Sequence, residues 1–397
     1  MKVMQINIFG NLSTGRIAVD IYRTLKSQGH DGLVAFSRNT IDEDVSHFQF
    51  GSRWSVYSDV IMTRLTDKAG YYSKGPTKKL IEKIKEYDPD IIHLHNIHGY
   101  YINIEILFDY LKKSEKPVVW TLHDCWPFTG HCCYYSMAEC RKWEVGCCNC
   151  PQLRAYPKSL FIDNSANNYY SKRNLFTSVP NLHLVCVSNW LRNEVKKSFL
   201  KDIPCEVIYN GIDLNVFKPT ESNFKREYGI EDKKVILGVA STWDVRKGLN
   251  DFIELSRIID EKYKIVLVGL NDKEKKMVPN NILGLSRTNS VRELVDIYTA
   301  ADVFFNASVE ETFGLPTVEA MSCGTPVIVY NSTALPEVCT NNTGAIVEQH
   351  DVNKVYSEIK KIVYEPFKSE EIIKRACEFD AKKSYSKYLA LYMKLIV

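Results

Sequence analysis

Residues 306–330, NASVEETFGLPTVEAMSCGTPVIVY, place a strand end, a glycine turn, a short helix and a second strand in one unbroken stretch. Residues 303–305, just before it, form a β-branched and aromatic run that fits a buried strand, and Val327–Tyr330 fits the next strand. A helix of few turns fills the interval. Pro316 suits its first turn, where a missing N–H costs nothing, and Gly324 with Pro326 closes it. Backbone N–H groups at Gly314 and Leu315 then face whatever precedes the helix, and a helix N-terminus attracts phosphate. Gly314 lets that ligand come close. Glu311 and Glu319 flank the turn. Carboxylates are misplaced beside a phosphate unless they accept hydrogen bonds from sugar hydroxyls, so the stretch reads as a phosphate and sugar site.

Seven residues separate Glu311 from Glu319, with Phe313-Gly314-Leu315-Pro316 among them and Cys323-Gly324-Thr325-Pro326-Val327 after. This string resembles the signature of retaining GT-B glycosyltransferases of family GT4. Two glutamates at that spacing alone are common on surface helices, whereas the whole string is specific. The resemblance extends over nearly the entire chain. It implies an α/β GT-B fold of two Rossmann-like domains facing across a cleft, with a C-terminal helix crossing back to the first domain. On that reading residues 1–212 form the acceptor domain, with a Cys-rich insertion at 125–151. Residues 213–232 are a linker, 233–380 the sugar-nucleotide domain and 381–397 the tail helix.

Length and composition agree with this organisation. A chain of 397 residues exceeds one typical hydrophobic core, and 45% hydrophobic with 25% charged residues describes a globular enzyme rather than a disordered chain. No apolar run approaches the roughly 18 residues of a membrane helix, and residues 1–10 are too short in apolar core for a signal peptide. A cytoplasmic protein is expected. The net charge of +3 gives no reason to expect nucleic-acid binding. It is unevenly spread, with 25 Lys and Arg against 19 Asp and Glu in residues 1–200, and eight against two in residues 151–201. With the lysine-rich amphipathic helix expected over residues 78–87, this favours an anionic partner for the first domain, a lipid phosphate or the inner face of the plasma membrane.

Along the chain, Lys2–Phe9 reads as a strand, and a glycine loop (residues 10–15) leads into Ile17, Ile21 and Leu25 at helical spacing. By itself this is a weak phosphate signal. The resemblance adds that Thr14 and Gly15 contact the donor. Strands are expected at residues 33–36, 91–95, 118–122 and 182–187, with a helix over 190–199; the stretch to residue 75 shows no clear pattern. His93, His95 and His98 alternate at a strand end, where open α/β sheets bind ligands; that reading is better than a metal, and the strand resembles the one that borders the acceptor cleft in the family. His123 closes the next strand, and it matches the family histidine that contacts the donor sugar. In the second half, residues 235–240, 265–268 and 282–285 read as strands. Arg246 and Lys247, at the start of a helix over 249–259, can clamp a diphosphate. The family often has an arginine directly after the strand, where this chain has Ser241 or Thr242, so Lys247 is the firmer match. Leu285 lies where family members hold the base through backbone groups.

Residues 125–150 hold seven of the 12 cysteines. Cys132, Cys140, Cys147 and Cys150 stand at C-x7-C-x6-C-x2-C. In a cytosolic chain disulfides are disfavoured, and two readings remain: four thiolates around a structural zinc, or a loop of free, partly buried thiols. The resemblance implies no cofactor for catalysis.

The expected function is therefore retaining transfer of a sugar, of the hexosyl type, from a UDP- or GDP-sugar. The acceptor would be a saccharide, such as one linked to undecaprenyl diphosphate, in bacterial O-antigen, capsule or exopolysaccharide synthesis. Glu311, Lys247, Arg246 and His123 are the expected catalytic residues; Thr14, Gly15, Leu285, Phe313, Gly314, Leu315 and Glu319 are the expected donor contacts. The alternatives are a sugar-nucleotide epimerase or hydrolase, and a non-catalytic nucleotide-sugar-binding protein.

Overall fold

The computed structural model describes residues 1–396. The chain forms two compact units, Met1–Tyr209 together with the chain from Ser384 onward, and Asn210–Lys383. Each is a parallel sheet carrying helices between its strands, so its strands read as almost continuous apolar runs.

The first unit has seven strands: β1 (Lys2–Phe9), β2 (Asp31–Arg38), β3 (His47–Gln49), β4 (Ile91–Leu94), β5 (Val118–Leu122), β6 (Leu182–Cys186) and β7 (Cys205–Val207), in the order β3-β2-β1-β4-β5-β6-β7. The second has six: β8 (Lys234–Val239), β9 (Tyr263–Val268), β10 (Ile282–Leu285), β11 (Val303–Asn306), β12 (Val327–Tyr330) and β13 (Gly344–Val347), in the order β10-β9-β8-β11-β12-β13. Strand order reverses between β1 and β4 in one sheet and between β8 and β11 in the other. At such a reversal the segments leaving the two carboxyl ends turn to opposite faces and open a crevice.

The strands expected from sequence are all present, with ends that coincide or shift by at most two residues. The patternless stretch before residue 75 contains β3 and the helix Arg53–Thr66. Its apolar residues point outward, which is why no core period marks it. The basic stretch after Pro151 holds a second unexpected helix, Ser165–Phe176. The helix expected over 190–199 is shorter, Asn189–Val195, because Ser198 takes over the chain, its Oγ donating to the Val195 carbonyl and accepting from Leu200 N–H. The lysine-rich helix runs Lys74–Tyr87 and buries Thr77, Leu80 and Ile84, leaving its lysines outside.

The last helix, Ala381–Leu395, seats two tyrosines on the first sheet. Thr121 Oγ1 donates to Tyr388 Oη (3.1 Å), so His93 Nε2 must donate to Thr121 Oγ1 (2.8 Å). His93 Nδ1 is then an acceptor, and Tyr392 Oη donates to it at 2.6 Å. The imidazole is neutral, with burial first and the His123 charge second holding its pKa well below the usual value.

Two outcomes are expected. Burial likewise depresses His95 and takes His123 to about 4. In the unfolded chain these rings bind protons near pH 6.5, so their contribution is intact above that pH and lost as the pH falls below it. The melting temperature should therefore drop between about pH 6.5 and pH 5; a flat profile would show the rings to be solvated. Tyr392→Phe strips the donor from a buried acceptor and should cost about 1–3 kcal/mol in chemical denaturation.

Candidate active site

The two segments that leave the second sheet at its reversal carry the charged residues read from sequence. After β8 the chain forms a tight turn in which Asp244 accepts from Arg246 N–H at 3.0 Å. The same carboxylate grips the Arg246 guanidinium through Nη2 (2.9 Å) and Nε (3.2 Å). Arg246 is thus folded back on its own turn. Gly248 ends the turn in the left-handed region (φ +72°), where a Cβ would lie 2.3 Å from the Ala307 carbonyl oxygen. The turn therefore packs directly against the segment after β11, and Val309 N–H donates to the Arg246 carbonyl at 2.9 Å.

That close approach brings Lys247 Nζ to Glu311 Oε1 in a short, partly buried ion pair. Glu311 is held by its backbone, its N–H donating to Thr333 Oγ1 (2.9 Å) and its carbonyl accepting from Ala334 N–H (3.2 Å). Asn306, at the end of β11, accepts from Ser308 N–H and donates through Nδ2 to Thr317 Oγ1, which ties the loop to the helix Leu315–Ser322. Gly314 precedes that helix at φ +96°, with Leu335 Cδ2 only 2.7 Å from where a Cβ would stand. Pro316 has no N–H and Thr317 N–H turns back to the Gly314 carbonyl, so Gly314 and Leu315 stand at the helix entrance. Glu319 is buried and accepts from Tyr298 Oη at 3.0 Å. The Phe313 ring is buried too, edge-on to Phe379. Leu285 ends the outer strand β10, its carbonyl accepting from the Gly269 and Leu270 amides. It is not among the groups that meet at Lys247 and Glu311.

In the first unit, Thr14 begins a helix (Thr14–Ser27) and its hydroxyl donates inward to Asn7 Oδ1 at 3.0 Å. Gly15 N–H is taken by the Leu12 carbonyl, and a Cβ on Gly15 would meet the Phe9 carbonyl oxygen at 2.6 Å. This pair shapes the turn.

Across the reversal lies a ladder of neutral rings. Gln5 Nε2 donates to the Ala18 carbonyl, which turns Gln5 Oε1 toward His95 Nε2 at 3.0 Å. His95 Nε2 therefore carries the proton, its Nδ1 accepts, and His123 Nε2 donates to it at 3.1 Å. His123 Nδ1 is then the unprotonated nitrogen of a ring that stands at the carboxyl end of β5. Beside it, His98 Nε2 lies 2.7 Å from Asp124 Oδ2. Burial raises the Asp124 carboxyl, but the charge and hydrogen bond of His98 and the Trp126 N–H outweigh it and hold the group below its ordinary value. His93 within β4, and His95 and His98 after it, each make side-chain hydrogen bonds inside the protein. Sequence reading missed Gln5, Asp244, Thr317 and Thr333, because single polar residues at loop positions carry no period.

The four spaced cysteines line one pocket of about 20 Å³ with Trp143, Gln152 and His131. The Cys132 thiol is pushed far up by burial first, and then by Cys150, Cys147 and Cys140. Among the described residues, three ligand-type atoms within 4.8 Å of one another occur at His98, Asp124 and Cys133; the four thiols are more widely spread. Lys172, in the basic stretch expected to face an anionic surface, is buried in the interior and does not present its charge to solvent.

Two parallel, Rossmann-like sheets of this kind define the GT-B class of glycosyltransferases. Sucrose-phosphate synthase of Thermosynechococcus elongatus superposes with a TM-score of 0.74 over 100% of this chain and 99% of its own, at 15% identity. HepE of Anabaena, solved in complex with UDP-glucose, gives 0.67 over 98% and 99%, also at 15% identity. The profile of Glycosyltransferase Family 4 matches residues 14–216, more than half of the chain, and that of Glycosyl transferases group 1 matches residues 220–379. The chain belongs to glycosyltransferase family 4. Its relatives include the putative colanic acid biosynthesis glycosyl transferase WcaC of Escherichia coli, 22% identical over 100% of both chains. The O-antigen chain mannosyltransferase RfbU of Salmonella typhimurium is 26% identical over 53% of this chain and 55% of its own.

If Lys247 and Glu311 hold each other as described, a double-mutant cycle with Lys247→Ala and Glu311→Ala should show coupling of about 1 kcal/mol in urea denaturation. Additive losses would mean that the pair does not persist in solution.

Proposed function

We propose that the chain is a retaining glycosyltransferase that uses a UDP-sugar and delivers the sugar to a lipid-linked saccharide during bacterial surface-polysaccharide assembly. The observation that carries this reading is the Lys247–Glu311 pair at the strand-order reversal of the second sheet, beside the helix entrance at Gly314. A donor's diphosphate takes the Lys247 ammonium, and a sugar hydroxyl then gives Glu311 the hydrogen bond it loses. Lys247 and the helix entrance offset charge on the leaving diphosphate, and Glu319 serves the donor's hydroxyls. Arg246 joins only after leaving Asp244. UDP is favoured over GDP because a solved structural neighbour holds UDP-glucose. The polysaccharide setting rests on the colanic acid and O-antigen relatives.

Incubation with UDP- and GDP-sugars, with and without lipid-linked acceptors, tests this directly. Acceptor-dependent UDP release and a product with the donor's anomeric configuration by NMR are expected; release without acceptor would favour a hydrolase, and an altered sugar an epimerase. Lys247→Ala and Glu311→Ala should each lower kcat/KM by about 100-fold or more with the fold intact.

The lipid-linked acceptor is supported by the helix Arg53–Thr66. Trp54 (84% exposed), Tyr57 (62%) and Ile61 (58%) form an outward apolar face, continued by Phe161 (77%) on a loop joined to the helix through Leu160 N–H and the Arg64 carbonyl. Arg53 and Arg64 of the helix, Lys68 just beyond it and Lys158 on the loop are exposed, and the only carboxylate of the helix, Asp59, is buried. Exposed aromatic residues with exposed cations on the same helix and loop suit an anionic lipid interface, and among the described residues no helix is long and apolar enough to cross a membrane. Binding to anionic vesicles should weaken at least about tenfold in Trp54→Ser/Ile61→Ser, since each buried apolar side chain contributes about 1.5–3 kcal/mol. Unchanged binding, or none by the wild type, would favour a soluble acceptor.

A further inference from the structure

Between the end of β5 and the helix Ser165–Phe176 the chain runs through residues 123–164 with no α-helix or strand, only three short 3-10 turns. A segment of this length without regular structure needs another source of order inside a compact unit. Part of it is aromatic, Trp143 packing on Phe128 and Tyr135 at centroid distances of 5.0 and 4.8 Å. The rest centres on the cysteine pocket.

Three buried side-chain nitrogens belonging to residues of that pocket wall have no hydrogen-bond partner: Trp143 Nε1, Gln152 Nε2 and His131 Nε2. The first two are donors without acceptors, a costly state in an interior. A fourth N–H, of Gly130, already donates to Cys147 Sγ at 3.2 Å. Nearby, Lys172 is buried with no carboxylate in ion-pair range among the described residues. Its ammonium meets only the Trp126 and Thr129 carbonyls (2.8 and 3.1 Å) and the Trp126 ring face. Unsatisfied donors beside a buried lysine suit negative charge in the pocket, and the only acidic side chains among its lining residues are cysteine thiols.

We propose that Cys132, Cys140, Cys147 and Cys150 bind one zinc ion, which orders this segment of the first unit. Four thiols release four protons to solvent on binding Zn²⁺, leaving a zinc tetrathiolate of net charge −2. The N–H groups of Gly130, Trp143 and Gln152 then have sulfur acceptors, and Lys172 offsets part of the charge. Cys140, Cys147 and Cys150 lie in irregular, partly exposed backbone, where side-chain rotation can draw the sulfurs onto one ion. His131 Nδ1 is engaged by the buried Asp67 carboxylate, which fixes the ring on the pocket wall. With four thiolates closing a tetrahedron, His131 stays outside the ligand set.

The full chain, purified without chelator or immobilised metal, is assayed for zinc, iron and acid-labile sulfide. About one zinc per chain is expected in the wild type, in Cys133→Ser, Cys148→Ser and His131→Ala, and almost none in Cys147→Ser/Cys150→Ser. Should the double variant fail to fold, wild-type protein reconstituted with cobalt(II) provides a readout without substitution. It should show thiolate-to-cobalt charge transfer and the intense d–d bands of a tetrahedral four-sulfur site. The proposal is overturned by wild-type protein that holds neither zinc nor cobalt, or by iron with labile sulfide. It is equally overturned by zinc that survives Cys147→Ser/Cys150→Ser but is lost in Cys133→Ser, which would move the ion to His98, Asp124 and Cys133, or by zinc lost in His131→Ala.

Discussion

Parallel strands are joined by right-handed crossovers, so where strand order reverses the connections leaving two neighbouring strands turn to opposite faces of the sheet. Both units are built around that single constraint. In the second, it brings the turn after β8 and the segment after β11 out side by side, and Gly248 closes the gap between them because any larger residue would strike the Ala307 carbonyl. Lys247 and Glu311 meet because their backbones are already locked together. Sixty-four residues of sequence separation vanish into one contact between neighbouring loops.

In the first unit the same constraint places Gln5, His95 and His123 across neighbouring strands, and the chemistry that follows is one of enforced neutrality. Each ring is fixed in one tautomer by the next, starting from an amide whose orientation is set by a main-chain carbonyl. The His93 ring is fixed separately by Thr121 and Tyr392. The last helix of the chain is therefore held to the sheet partly by hydrogen bonds that require uncharged histidines. A protonated His93 would offer Tyr392 a donor instead of an acceptor.

How much of this was legible in the sequence follows from which signals are periodic. The strands, the glutamates of the 306–330 stretch and the basic turn at Arg246 and Lys247 were readable because apolar runs and glycine turns mark them. The helix Arg53–Thr66 was not, since an outward apolar face and a single buried carboxylate give the reverse of the usual pattern. Lys172 shows the limit of charge counting: it was counted toward a basic surface, yet its ammonium is inside, held by carbonyls and an indole face. The four cysteines stood out by their spacing, which left zinc and free thiols both open, whereas Trp143 and Gln152 in the same pocket wall carried no signal before the chain was folded.

The Lys247–Glu311 pair also bears on what the site refuses. With each charge satisfied by the other, an anion alone can take the ammonium only by leaving a partly buried carboxylate bare, and a neutral sugar alone can reach the carboxylate only by competing with an ammonium. A ligand that carries a phosphate and a hydroxyl at the right separation meets both demands at once. Under the proposed donor reading the pair works as a coincidence detector, discriminating against free phosphate and free sugar in favour of the molecule that joins them.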